Sequence, residues 1–403
     1  MTRFGHVMEK IDERIPGVDL PLMSVSQTRG VIRRSELTDA PQRAESLDNY
    51  KVCRANDIVF NKMSIRSGAM GVAAEDGLVT YHYEVMRPRE GADPHFIAYL
   101  MKSSWFTKEL IKRERGIGAG DQANVRTTEV PFSVLKTIDA YIPDHAEQRA
   151  ISDYLDRETA RIDTLIEEQQ RLIEMLRARR QDLIRDAVLG AINPFSPPPD
   201  VAFTAIGYHF SVTLGKMLDG SKEARAGDLM LPYIRAGNIQ DSGLRLSDLN
   251  QMPYSATEAA SLNLLKGDLL VVEGGAVGTN VLIDRDMPGF SFQKTVNRLR
   301  PLNNWSSSWL GYVLRAYRDV GVIDIVCNKS TIPHLTAEKL RAMRIPLVQP
   351  QEQRRVATML DQETVKIDRL ITESDRFVEL ARERRSALIT AAVTGQIDVR
   401  AAA

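Results

Sequence analysis

The chain is written twice, and that repeat constrains its architecture more than any other feature. Residues 147–166 read EQRAISDYLDRETARIDTLI and residues 352–371 read EQRRVATMLDQETVKIDRLI, an ungapped offset of 205. Glu147 stands against Glu352, Leu155 against Leu360, Asp163 against Asp368 and Ile166 against Ile371. The register persists through Arg179 and Arg180 against Arg384 and Arg385, Leu183 against Leu388, and Gly190 against Gly395. Two similar halves related by a pseudo-twofold axis are expected.

Each repeated segment predicts a helix of unusual length. In the first copy Leu155, Ile162, Ile166, Ile173, Leu176, Leu183 and Ala187 recur three, four or seven residues apart, the seam of a coiled coil with polar gaps, the first of them after Leu155. The second copy supplies Leu360, Ile367, Ile371, Val378, Leu388 and Ala392. Asp144 with Glu147 makes a capping box, and Gly190 and Gly395 stand where a left-handed cap ends a helix. At about 1.5 Å per residue, roughly 43 residues span about 65 Å. Gln169 and its counterpart Ser374 fall on core positions, as do Arg180 and Arg385. Either the seam frays there, or polar core positions fix register and orientation. With one helix per repeat, the simplest closed arrangement is an antiparallel pair with a head at each end.

The heads occupy residues 1–142 and about 200–349, the helices 143–192 and 350–403, and a proline-rich linker, NPFSPPP, residues 193–199. KVCRANDIVF at 51–60 and LLKGDLLVV at 264–272 are matched strand–turn–strand pieces around Asp57 and Asp268. FIAYLMKSSWF at 96–106 and WLGYVLRAY at 309–317 are matched amphipathic helices. The fold class is therefore α+β: two mixed α/β heads joined by two long antiparallel helices.

Charge, cysteines and motifs narrow the function. With 53 basic and 53 acidic side chains there is no global positive field, whereas a protein that grips DNA alone carries an excess of Lys and Arg. Residues 1–142 hold 20 basic and 19 acidic groups and residues 200–349 hold 16 and 14, so part of any phosphate grip is expected from other subunits. Cys53 and Cys327 lack CxxC spacing and read as packing residues. The charged N-terminus, MTRFGHVMEKIDERIP, has no apolar signal core, and a cytoplasmic location is expected. GIGAGD at 116–121 resembles a nucleotide loop but follows IKRER rather than an apolar strand, and NPF at 193–195 lies in the linker. His82, His95, His145, His209 and His334 show no metal spacing. No catalytic residue and no metal site is expected. Gly71, Gly274, Gly275 and Gly278 read as turn glycines.

The second half carries YIRAGNI at 233–239, KGDLLVVEGGAVG at 266–278, NKSTIPHL at 328–335 and IPLVQPQEQRRVATMLDQET at 345–364. Looser versions, PLMSVSQTRGV at 21–31, ANDIVFNKM at 55–63 and IPDHAEQRAISDYLDRET at 142–159, stand in the first half. In these strings and their order the chain resembles the specificity subunits of type I restriction–modification systems over nearly its full length. The resemblance implies a non-catalytic DNA-recognition subunit with two target recognition domains. Each would read half of a bipartite site in double-stranded DNA, with the helices setting the spacer. It also implies two methylation subunits that bind S-adenosylmethionine, and restriction subunits that use ATP and magnesium; this chain itself would hold no cofactor. The first head lacks the clean KGDLL and STIP strings.

Reading bases requires long or forked polar side chains on rigid turns. Candidates are Ser24, Gln27, Arg29, Asn61, Lys62 and Arg66 in the first head, and Arg235, Asn238, Lys294, Asn328 and Lys329 in the second. Two rivals share some of these features: a coiled-coil scaffold with protein-binding heads, and a truncated methyltransferase, which the missing cofactor and catalytic motifs disfavour.

Overall fold

The computed structural model describes residues 1–39, 46–114, 129–217, 225–327 and 333–399. They form two compact units, residues 1–170 with 375–403 and residues 171–374. The division falls inside the long helices, so that each unit holds one head plus part of each long helix.

The heads repeat one sheet. In the first unit the strand order is Met8–Ile11, Tyr83–Pro88, Ile58–Asn61, Met70–Val72, and in the second Phe210–Leu214, Val296–Pro301, Leu269–Val272, Asn280–Leu282. Registers correspond as well: Met8 opposes Pro88 and Ile58 opposes Met86, just as Phe210 opposes Pro301 and Leu269 opposes Leu299. Every neighbour in these sheets is antiparallel. The central strands bury both faces, since Ile58, Val59, Phe60, Leu269, Leu270, Val271 and Val272 are all inaccessible, and this accounts for their uninterrupted apolar runs.

The turn preceding each central strand is built alike. Asp57 accepts from the backbone N–H of Arg54 at 2.9 Å, and Asp268 from that of Leu265 at 2.8 Å. Asn56 and Gly267 take the left-handed conformation these turns need, with φ of 72° and 91°. Both carboxylates then receive a two-pronged guanidinium: Arg87 on Asp57 at 2.8 and 2.9 Å, Arg300 on Asp268 at 2.6 and 2.7 Å. The expected 96–106 helix is instead two, Pro94–Lys102 and Ser104–Glu114. Ser103 is extended between them and its hydroxyl caps the second at the N–H of Phe106. Its counterpart Ser307–Asp319 is continuous. Cys53 and Cys327 are buried and unpaired, and burial pushes the Cys53 thiol up to about 11.

The long helices run His145–Val188 and Pro350–Val393. Asp144 accepts from the N–H of Glu147 at 2.9 Å, and Gly190 and Gly395 are left-handed, as the capping pattern predicts. Leu155, Ile162, Ile166, Ile173, Leu360 and Val378 are buried, while Leu176, Leu183, Ile367, Ile371 and Leu388 are partly covered. Thr159 and Thr364 fill the first polar gap, both buried, each returning its hydroxyl to the carbonyl four residues back. Within the first unit Leu155 shares a core with Ile389 and Ala392, and Ile162 and Ile166 pack on Val378. Within the second, Ile184 packs with Val356 and Leu360. In both units the partners run in opposite directions.

Arg180 and Arg385 do not fray from this seam. The guanidinium of Arg385 lies 2.8 Å from Asp163 and that of Arg180 lies 2.8 Å from Asp368, cross-helix pairs related by the 205-residue repeat. A one-turn slip would break both, so Arg180 and Arg385 support the register-fixing alternative.

Each head is also clasped to a helix by a matched set of bonds. Tyr99 donates to Asp156, and Tyr312 to Asp361, each at 2.7 Å. Buried Gln148 accepts from the N–H of Asp93 at 2.8 Å, and buried Gln353 from that of Ser306 at 2.9 Å.

Candidate nucleic-acid interface

In each head several connections gather at one end of the four-stranded sheet. In the second unit Val272 opposes Val296, so the loops after the first and before the second emerge side by side. Glu273 donates its backbone N–H to the carbonyl of Thr295 at 2.9 Å, and the Thr295 hydroxyl accepts from Ala236 at 3.1 Å. Gly274 bridges His334, and Leu335 donates to the carbonyl of Glu273 at 2.8 Å. Burial among these loops raises the Glu273 carboxyl above its ordinary range. Gly275 and Gly278, with φ of 90° and 80°, serve as turn glycines; a Cβ on Gly278 would also strike Ile323.

This end carries Lys294, exposed and without an ion pair or side-chain hydrogen bond among the described residues. Arg235 is half-exposed and held by Asp248 at 2.9 Å. Asn238 requires a correction. Its side chain is fully buried, its oxygen accepts from Arg235, and its amide nitrogen donates to the carbonyls of Arg245 and Asp248. It is a staple of the turn with nothing left to offer a base. Asn328 and Lys329 lie outside the described residues, as does the GIGAGD segment.

The first unit presents the same end differently furnished. Asn61 opposes Tyr83, placing the 62–69 loop beside the Thr80–His82 connection. Gln27, on the turn between strands Met23–Ser26 and Gly30–Arg33, donates to the Ser67 hydroxyl at 3.0 Å and joins that turn to the group. Arg29 is exposed and paired with Glu36 at 2.7 Å, and Lys62 reaches Glu129 at 3.3 Å. Asn61 holds its own turn by accepting from the N–H of Met63; Ser24 is half-buried in its strand, and Arg66 lies in the short helix Ile65–Ser67. Gly71 is not a turn glycine but a strand residue, where a Cβ would sit 2.8 Å from the Gly30 backbone. It permits close strand approach.

Sequence reasoning passed over Thr80–His82. Aligning the heads by sheet register, at an offset of 213 for this strand, sets Tyr81 opposite Lys294. Tyr81 is exposed, and its ring lies 4.0 Å from that of His82. The helical repeat could not reveal the match, because the heads differ in loop lengths.

Among the described residues there is no cluster of His, Cys, Asp or Glu able to hold a metal, and no helix long and apolar enough to cross a membrane. At these loop ends most basic side chains already have a carboxylate partner.

Residues 206–373 match the family model described as the type I restriction modification DNA specificity domain. The type I restriction enzyme StySPI specificity subunit of Salmonella potsdam is 23% identical over 192 residues, covering 46% of this chain and 39% of that protein. The match thus spans about two-fifths of that relative's length. Among solved structures, one titled for complex assembly and conformational transition of the type I R-M system aligns over 98% of this chain and 97% of its own, with TM-score 0.75 and 17% identity. The HsdS subunit from Thermoanaerobacter tengcongensis aligns over 98% and 96%, with TM-score 0.58 and 18% identity. These two share the fold throughout, and the specificity domain covers the second head together with the first part of its long helix. Residues 206–373 thus match the type I restriction modification DNA specificity domain, and the chain along its length shares the fold of the solved HsdS subunit.

Proposed function

We propose that each head reads one half of a bipartite sequence in double-stranded DNA, and that the helix pair sets the spacer. The observation that carries this reading is the duplication of one sheet with one gathered loop end, each copy locked to the helices by equivalent bonds. A repeated sheet scaffold with different loop side chains is what two different half-sites require.

The helices also carry a repeated apolar stripe. Leu165, Leu172 and Met175 are exposed on the first, and Leu370, Phe377 and Leu380, each 205 residues later, on the second. Large apolar side chains on solvent-facing helix positions suit a protein interface. Because the stripes are repeats of one another, they suit two copies of one partner. We assign that partner as the methylation subunit, which would bring S-adenosylmethionine; restriction subunits, with ATP and magnesium, would join through it in the cytoplasm. This chain performs no chemistry in that assembly.

The test is to express the chain with its methylation partner and map methylated adenines in the host genome. A split motif with constant spacing is expected. Methylation at a single uninterrupted motif, or partner binding with no sequence preference, refutes the reading.

A further inference from the structure

We infer that Tyr81 contacts a base of the half-site read by the first head; this rests on the DNA-reading function proposed above. Tyr81 sits on a connection whose position is fixed by sheet register. Strand Tyr83–Pro88 corresponds to Val296–Pro301, pairing Asn61 with Tyr83 and Val272 with Val296 at the same end of the sheet. Tyr81 therefore occupies the site of Lys294, two residues before the strand begins. Both side chains are exposed at the gathered loop ends, and neither has a polar partner among the described residues.

The connection is built to hold the ring still. Tyr83 donates its N–H to the carbonyl of Thr80 at 2.9 Å, closing the turn, and Lys51 donates from beneath to the carbonyl of Tyr83 at 2.8 Å. The His82 ring lies 4.0 Å from that of Tyr81, tilted by 38°. Even so, Tyr81 leaves 52% of its surface exposed. A supported aromatic ring with an open face can cover the methyl group of thymine at the edge of a base pair, and it loses little conformational freedom in doing so. The basic residues around it do not compete for that role: Arg29 and Lys62 are already engaged with Glu36 and Glu129. The two heads thus differ in kind at this position, an aromatic reader in one and a cationic reader in the other.

The experiment uses the complete methyltransferase, this chain with its methylation subunit. It measures methylation rates on the cognate duplex and on duplexes with single substitutions in either half-site. Tyr81→Ala is expected to slow cognate methylation by about tenfold or more. It should also flatten discrimination at one or two positions of the first half-site, leaving the second half-site as selective as before. Tyr81→Phe should stay near the parent, and Lys294→Ala should produce the mirror pattern in the second half-site. Unchanged rates and discrimination for Tyr81→Ala overturn the inference, and so does an equal loss at both half-sites. Those results leave the bipartite reading standing if the parent enzyme methylates a split site; a parent with no split site removes both.

Discussion

Inserting four residues into both long helices, after Gln170 and after Ser374 where the units divide, should lengthen the spacer without changing either half-site. Four helical residues add about 6 Å and, at about 100° each, advance the helix by about 40° beyond a full turn. One base pair advances DNA by about 3.4 Å and roughly 35°. Translation and rotation together thus call for a spacer longer by one or two base pairs. Both insertion points fall between the cross-helix pairs, Asp163 with Arg385 and Arg180 with Asp368, so each unit keeps its own pair and core. The added four residues act as a stutter that the seam absorbs by local unwinding, in both helices at once. Mapping of methylated adenines reads out half-sites and spacing together. An unchanged spacer in an active variant, or altered half-sites at constant spacing, would show that the helices do not measure DNA.

Four other perturbations follow. Asp268→Asn should destabilise the second unit by about 3–5 kcal/mol in urea denaturation followed by tryptophan fluorescence, because Arg300 loses its buried partner. Adding Arg300→Met should restore much of the loss, and a strictly additive double mutant would contradict the pairing. Leu360→Ala, at a fully buried seam position shared with the second head, should cost about 2–5 kcal/mol in the same assay; a loss below about 1 kcal/mol would mean the seam does not bear on that head. Met175→Asp with Leu380→Asp should abolish co-purification of the methylation subunit while leaving thermal unfolding of the chain unchanged; retained binding would free the stripe of that role. The chain alone should bind DNA weakly and without sequence preference, since the heads have almost no charge excess and Arg29, Lys62 and Arg235 are already paired. Nanomolar selective binding by the isolated subunit would contradict this.

The long helices were legible because their information is local. A period of 3.5 residues in Leu155, Ile162 and Ile166 declares which face is covered, whatever covers it. The caps at Asp144, Gly190 and Gly395 are equally local. The interior of the seam was less transparent. Thr159 and Thr364 look like interruptions in a string of letters, and only the helix geometry shows their hydroxyls satisfied four residues back, so that burial costs little. Ser103, likewise, reads as one more residue of an amphipathic run, yet it ends one helix and caps the next.

For the candidate interface, the residue types were readable and their fates were not. Asn238 and Lys294 are both polar residues near turns, and nothing local separates them. The carbonyls of Arg245 and Asp248 consume one, while the other stays in solvent. Gly71 and Gly275 look alike in sequence, but a neighbouring backbone demands the first and a left-handed turn the second. The sequence by itself determined the duplication, the two long helices and the resemblance to type I specificity subunits. Tertiary structure alone decided which loops share one sheet end, because that follows from pairing residues 8–11 with 83–88 and 210–214 with 296–301, contacts between strands far apart in the chain.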